Sequence, residues 1–150
     1  MIGKSAARAF VAFCIAAIPC SSSSEPVPTK TLGALAGYYL ITAHQIQLIK
    51  KTKCAYAVMG AWPTDTQLLD ADVLPAFPAE EREPFRRAIA QHLASQDASY
   101  QKSLETQLQK FTTQVDEKTA CGVLTGMYLG MFGAYQRQWQ ELKKKSSESK

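Results

Sequence analysis

Leu32, Leu35, Tyr39, Ala43, Ile46 and Ile49 recur at steps of three and four residues. That spacing lines one face of an α-helix. Tyr38, Ile41 and Leu48 widen the stripe, which predicts a well-buried helix from about Thr31 to Met59. Gly60 and Pro63 end it. Thr64 and Gln67 have the spacing of a capping box and predict a short helix over about 65–74, stopped by Pro75. Pro75, Pro78 and Pro84 predict an irregular connection over 75–83, which carries Glu80, Glu81 and Glu83.

A long helix is expected to start at Pro84, since proline suits a first turn. Its stripe is Phe85, Ile89, Leu93, Tyr100, Leu104, Leu108, Phe111 and Val115, and glutamines such as Gln91, Gln101 and Gln109 fill the positions between. A narrow stripe on a polar helix means one buried edge and a broad wet face. The last helix is expected from about Asp116 to Lys145. Its acids, Asp116 and Glu117, stand at the start and Lys143, Lys144 and Lys145 at the end, both favourable to the helix dipole.

The middle of that helix, Ala120 to Tyr135, carries no charge, and Gly122, Gly126, Gly130 and Ala134 form a row spaced by four. Small residues on one face let another backbone approach closely. Three readings compete. The first is a core helix packed on the first helix through the glycine row, with Met127, Tyr128, Met131 and Phe132 as core. The second is a membrane span, but the run is 16 residues, shorter than a span needs. The third is a homodimer seam. The first is preferred, and it implies that leucine at Gly126 overpacks and strongly destabilises the fold.

The N-terminus changes the picture. Lys4 and Arg8 precede ten uncharged residues, Ala9 to Ile18, and then Pro19 and the small-residue run Cys20 to Ser24. This is the order of a secretory signal peptide over 1–24, with cleavage within Ser22 to Ser24. Lipid anchoring at Cys20 is disfavoured because Pro19 stands where a small residue is needed. Residues 25–30 read as an extended linker, 31–145 as one helical domain and 146–150 as a disordered tail. The whole chain has 150 residues and a net charge of +4. Loss of Lys4 and Arg8 on export leaves 15 basic against 13 acidic residues, too even a balance for nucleic-acid binding.

Export also removes Cys14 and Cys20, leaving Cys54 and Cys121. An even pair in an exported chain reads as one disulfide. Closing a loop of about 68 residues is worth on the order of 4 kcal/mol in the chain-entropy model. Only two histidines, His44 and His92, are present. That is too few for a metal site with these cysteines, and neither lies in a catalytic motif. His44 has apolar neighbours and reads as a core or rim histidine. Lys50, Lys51 and Lys53 read as a solvated face rather than an anion or membrane-surface patch. No cofactor motif and no paired-acid or nucleophile constellation is present, so no enzyme activity is expected.

The fold expected is all-α: an elongated bundle of three long helices and one short one, tied by a single disulfide. The signal-peptide layout, the long helix ending in Lys53-Cys54-Ala55 and the late helix opening with Ala120-Cys121-Gly122 resemble, across 31–140, exported helical immunity proteins that neutralise type VI secretion cell-wall amidases. Val123 and Leu124 stand where one such family has glycine and tyrosine. The resemblance implies a periplasmic or secreted inhibitor that plugs the cleft of a toxin by protein–protein contact. The expected recognition segment is Gly60 to Pro84, with Trp62 and Phe77 as aromatic anchors and Glu80, Glu81 and Glu83 as charges. The alternatives are an envelope component self-associating through the glycine row, and a carrier of a small apolar ligand beside Met127 and Tyr128. Membrane contact after signal removal is not expected.

Overall fold

The computed structural model describes residues 29–148. The expected signal peptide over 1–24, Cys14, Cys20 and most of the expected linker lie outside the described residues, as do the last two residues of the expected tail. Among the described residues the regular structure is all helical, with four α-helices and no strand. They are α1 (Thr29–Ile49), α2 (Asp65–Leu68), α3 (Ala79–Thr112) and α4 (Glu117–Glu148). α3 and α4 have 34 and 32 residues, so each is about 50 Å long and the bundle is elongated.

α1 is the centre of the bundle. It packs most extensively on α4, and also on α3 and α2. Its buried residues include Leu32, Ala36, Tyr39, Leu40, Ala43, Ile46, Leu48 and Ile49, most of the expected stripe, whereas Leu35 and Ile41 are half-buried and Tyr38, expected to widen it, is exposed. Against them α4 buries Ala120, Cys121, Leu124, Tyr128, Phe132 and Trp139. Tyr39 lies between the Phe132 and Trp139 rings, with centroids 5.2 and 6.5 Å away. Burial and the nearby Asp72 carboxylate push its hydroxyl up to about 12. α3 buries only Ile89, Leu93, Leu104 and Leu108, the narrow edge that its polar composition implies.

Several boundaries differ from expectation. α1 starts at Thr29, inside the expected linker, and stops at Ile49, ten residues early. The chain then turns through 50–54, and a 3₁₀ turn spans Ala55–Ala57. Thr52 drives this break. Its hydroxyl donates to the Ile49 carbonyl at 2.7 Å and accepts from the Cys54 N–H at 3.1 Å, which replaces the helical ladder by a local turn. The capping box at α2 forms as expected: Thr64 Oγ1 accepts from the Gln67 N–H at 3.1 Å, and Gln67 Oε1 accepts from the Thr64 N–H at 2.9 Å. α2 continues through a π turn over Leu69–Val73 and a 3₁₀ turn over Leu74–Ala76.

α3 begins five residues before Pro84, so the expected irregular connection is mostly helix. Pro78 precedes its first turn and Pro84 sits one turn further in, where the lost N–H leaves only the Glu80 carbonyl without its helical donor. Arg82 also ties the junction, its Nε donating to the Phe77 carbonyl at 3.0 Å. Val115 falls beyond the helix and is exposed. Asp116 caps α4, accepting from the Thr119 N–H at 3.0 Å. α4 runs on to Glu148, so Ser146 to Glu148 are helical rather than part of a disordered tail.

Candidate interaction sites

Cys54 and Cys121 form the disulfide, with Cα atoms 5.1 Å apart, and both are fully buried. The bond staples the turn after α1 to the first turn of α4. A disulfide belongs to an oxidising compartment. None of the described helices is long and apolar enough to cross a membrane.

The stapled segment, residues 50–63, has a fixed base and an exposed tip. Its base is held by Trp62. That indole packs edge-on against Phe132 at 5.4 Å, and its N–H donates to the Met59 carbonyl at 2.9 Å. The Gln47 amide donates to the Trp62 and Pro63 carbonyls at 3.3 and 3.1 Å. The tip carries Tyr56, 56% exposed, and Met59, 82% exposed. Gly60 follows with φ of +84°, a conformation that side chains resist, so the loop needs glycine there. Lys50, Lys51 and Lys53 stand exposed at the entry to the loop. Lys53 pairs with Glu117, and Lys51 and Lys53 line a groove of about 360 Å³ against Glu105 and Leu108 of α3.

The recognition segment expected from the sequence, Gly60 to Pro84, has its two aromatics packed on the fold. Trp62 is an internal anchor. Phe77 is buried and stacks on Phe85 at 4.5 Å. Phe77 is thus closed to a partner, while Trp62 is half-buried with its indole N–H already bonded. Glu80, Glu81 and Glu83 lie in the first turns of α3, where acids offset the helix dipole. Glu83 pairs with Arg86 at 3.4 Å. The sequence stripe hid the loop because Tyr56 and Met59 continue the apolar content of α1. The only local signal for a break was the Lys-Lys-Thr-Lys run at 50–53.

The glycine row is also displaced. Gly122, Gly126 and Gly130 are exposed, and a Cβ at any of them meets no atom within 4 Å. The row therefore does not pack on α1, and a side chain starting at Gly126 points into open space rather than overpacking the core. Ala134 is half-buried at the end of the row. Beside the glycines stand Val123, Met127 and Met131, 45%, 46% and 42% exposed. The α1-facing side of α4 is built instead by its large residues, Leu124, Tyr128, Phe132 and Trp139. Met127 thus faces solvent while the adjacent Tyr128 is buried, so the two do not line one cavity. The Tyr128 hydroxyl is bonded to the Gln107 amide at 3.2 Å.

His44 is the one histidine with a defined electrostatic role. Its Nδ1 lies 3.2 Å from Asp65 Oδ2 on α2, and its Nε2 lies 2.9 Å from Asp97 Oδ1 on α3. Two carboxylates on one imidazole favour the doubly protonated ring. The Asp65 contact raises the His44 pKa, burial opposes this, and Asp97 adds to it. Reciprocally, the His44 contact lowers Asp65. With both nitrogens engaged, neither is free to take a proton from a substrate. His44 therefore works as a clamp between three helices, the rim histidine expected, with partners on α2 and α3 that sequence spacing could not reveal. No group of three or more His, Cys, Asp or Glu among the described residues is arranged to hold a metal.

Compared with known protein families, with curated proteins and with solved structures, the chain matches none of them.

Proposed function

We propose that this chain is an exported helical binding protein of the periplasm or extracellular space, without catalytic activity of its own. Its role is that of an immunity protein, blocking a secreted cell-wall-degrading toxin. The observation that carries the reading is the stapled loop over 50–63. A large aromatic and a methionine stand in solvent on a segment fixed by a disulfide, a half-buried tryptophan and side-chain hydrogen bonds. Exposed anchors on a rigid base lose little conformational freedom on binding, which is what a tight inhibitor requires. Export supports it too, since the target of such a toxin lies outside the cytoplasm. In this reading Tyr56 and Met59 enter the toxin's cleft and the neighbouring lysines meet acidic groups at its rim.

The test is inhibition of purified secreted cell-wall amidases, beginning with any that a neighbouring gene encodes, followed as release of cell-wall fragments. The mature protein should abolish release at stoichiometric amounts, and Tyr56→Ala with Met59→Asp should weaken inhibition by a hundredfold or more, about 3 kcal/mol. Undiminished hydrolysis in excess protein, or full inhibition by the double variant, sinks the reading.

A further inference from the structure

We infer that the solvent-facing side of α4 is a self-association surface on which a second copy of this chain docks, its α4 antiparallel to the first. The inference does not depend on the immunity reading, because Tyr56 and Met59 lie outside this face. Val123, Met127 and Met131 form an exposed apolar ridge, alongside which runs the open row of Gly122, Gly126 and Gly130. From Gly122 to Met131 this strip is about 14 Å long and holds no charge or polar side chain on its exposed side. Scattered exposed apolar residues need no explanation, but a contiguous uncharged ridge beside glycines does.

The charges at its two ends identify the occupant. Asp116 stands exposed at the N-terminal end and Arg137 stands exposed one turn beyond Gly133, on the glycine side of the helix. They are 21 residues apart, and the midpoint between them falls at Gly126 and Met127. An antiparallel second copy crossing at that midpoint therefore brings each Asp116 opposite the other copy's Arg137. The same two-fold arrangement lays glycine row on glycine row, so the backbones can approach to about 8 Å. It also sets Val123 against Met131, Met127 against Met127 and Met131 against Val123. Such an isologous contact is self-complementary in shape and in charge. A parallel pairing would set Asp116 on Asp116 and Arg137 on Arg137, and like charges facing each other oppose it.

The experiment is sedimentation equilibrium on the full mature chain across a concentration series, with thermal unfolding of each variant as a control. The wild type should show a concentration-dependent dimer below about 1 mM. Gly126→Leu holds the backbones apart and should leave only monomer while unfolding no earlier than wild type. Arg137→Glu should weaken the dimer about tenfold. Asp116→Ser combined with Arg137→Glu, which keeps a capping hydroxyl on α4 and removes the like charge facing Glu at 137, should dimerise more tightly than Arg137→Glu alone. A wild type that stays monomeric throughout overturns the inference. A dimer that survives Gly126→Leu, or a double variant no tighter than Arg137→Glu alone, does so as well.

Discussion

α1 is held on two sides by opposite means. Towards α4 the contact is dry. Tyr39, Phe132 and Trp139 stack through it, Leu32, Leu40 and Ile46 fill around them, and the Cys54–Cys121 bond closes one end. Towards α2 and α3 the contact is wetter. α3 buries four residues of its 34, and the side chain crossing from α1 is His44, bonded to Asp65 and Asp97. The first contact depends on volume and a covalent tie, so pH and salt should hardly touch it. The second depends on charge and should follow both. The wet side is therefore the first place where this bundle should open locally.

Breaking the dry side should cost most. Cys54→Ala with Cys121→Ala frees the turn after α1 and should lower stability by on the order of 4 kcal/mol in denaturant unfolding. If the double variant unfolds with the wild-type midpoint, the staple adds nothing to the dry contact. Trp139→Ala, at a fully buried position, should cost about 3 kcal/mol or more. Urea titration measures this directly, and a loss under 1 kcal/mol would mean that the aromatic stack is not the centre of the core.

The wet side gives a smaller effect with a distinct pH signature. His44→Gln should cost about 1–2 kcal/mol, because two carboxylates lose a shared cation that is only partly screened from solvent. The pKa of His44 is raised in the fold above 6.5, so its contribution is fully present below pH 6.5 and is lost as pH rises through the folded value. That of Asp65 is lowered below 3.8, so its contribution is present above pH 3.8 and is lost as pH falls through the folded value. The stability difference between wild type and His44→Gln should therefore be largest between about pH 4 and pH 6.5 and shrink on both sides. A difference flat with pH in thermal unfolding would remove the clamp. The smallest change should come from Gly126→Leu, which lies on neither side of α1. Leucine exceeds glycine in helix propensity by up to about 1 kcal/mol, and open space receives the side chain. Unfolding should occur at or slightly above the wild-type midpoint, and marked destabilisation would mean that the glycine row does pack within the chain.

Much of this fold was legible in residue spacing. The stripe of α1 from Leu32 to Ile49, the capping box at Thr64 and Gln67, the narrow stripe of α3 and the acidic start of α4 all appear where their periods place them. These are local effects, decided within one or two turns. The pairing of Cys54 with Cys121 was legible for a different reason, because the export expected from the N-terminal pattern would leave two cysteines and one combination. The candidate site was harder to read. Trp62 and Phe77 carry the aromatic signature of binding anchors, yet both pack on the fold, while Tyr56 and Met59 had been counted into a helix that Thr52 ends early.

Residue order alone therefore determined that this chain is all-helical, that Thr64 and Gln67 cap a short helix, and that Cys54 and Cys121 can join. These follow from backbone hydrogen bonding and from side-chain periods of three and four. Only the tertiary structure decided which face of α4 turns inward. An uncharged helix with glycines on one side and large apolar residues on two others can be rolled several ways. Packing chose the roll that buries Leu124, Tyr128, Phe132 and Trp139, because large side chains remove more surface from water than glycines do. That choice left the glycine row, Val123, Met127 and Met131 facing solvent.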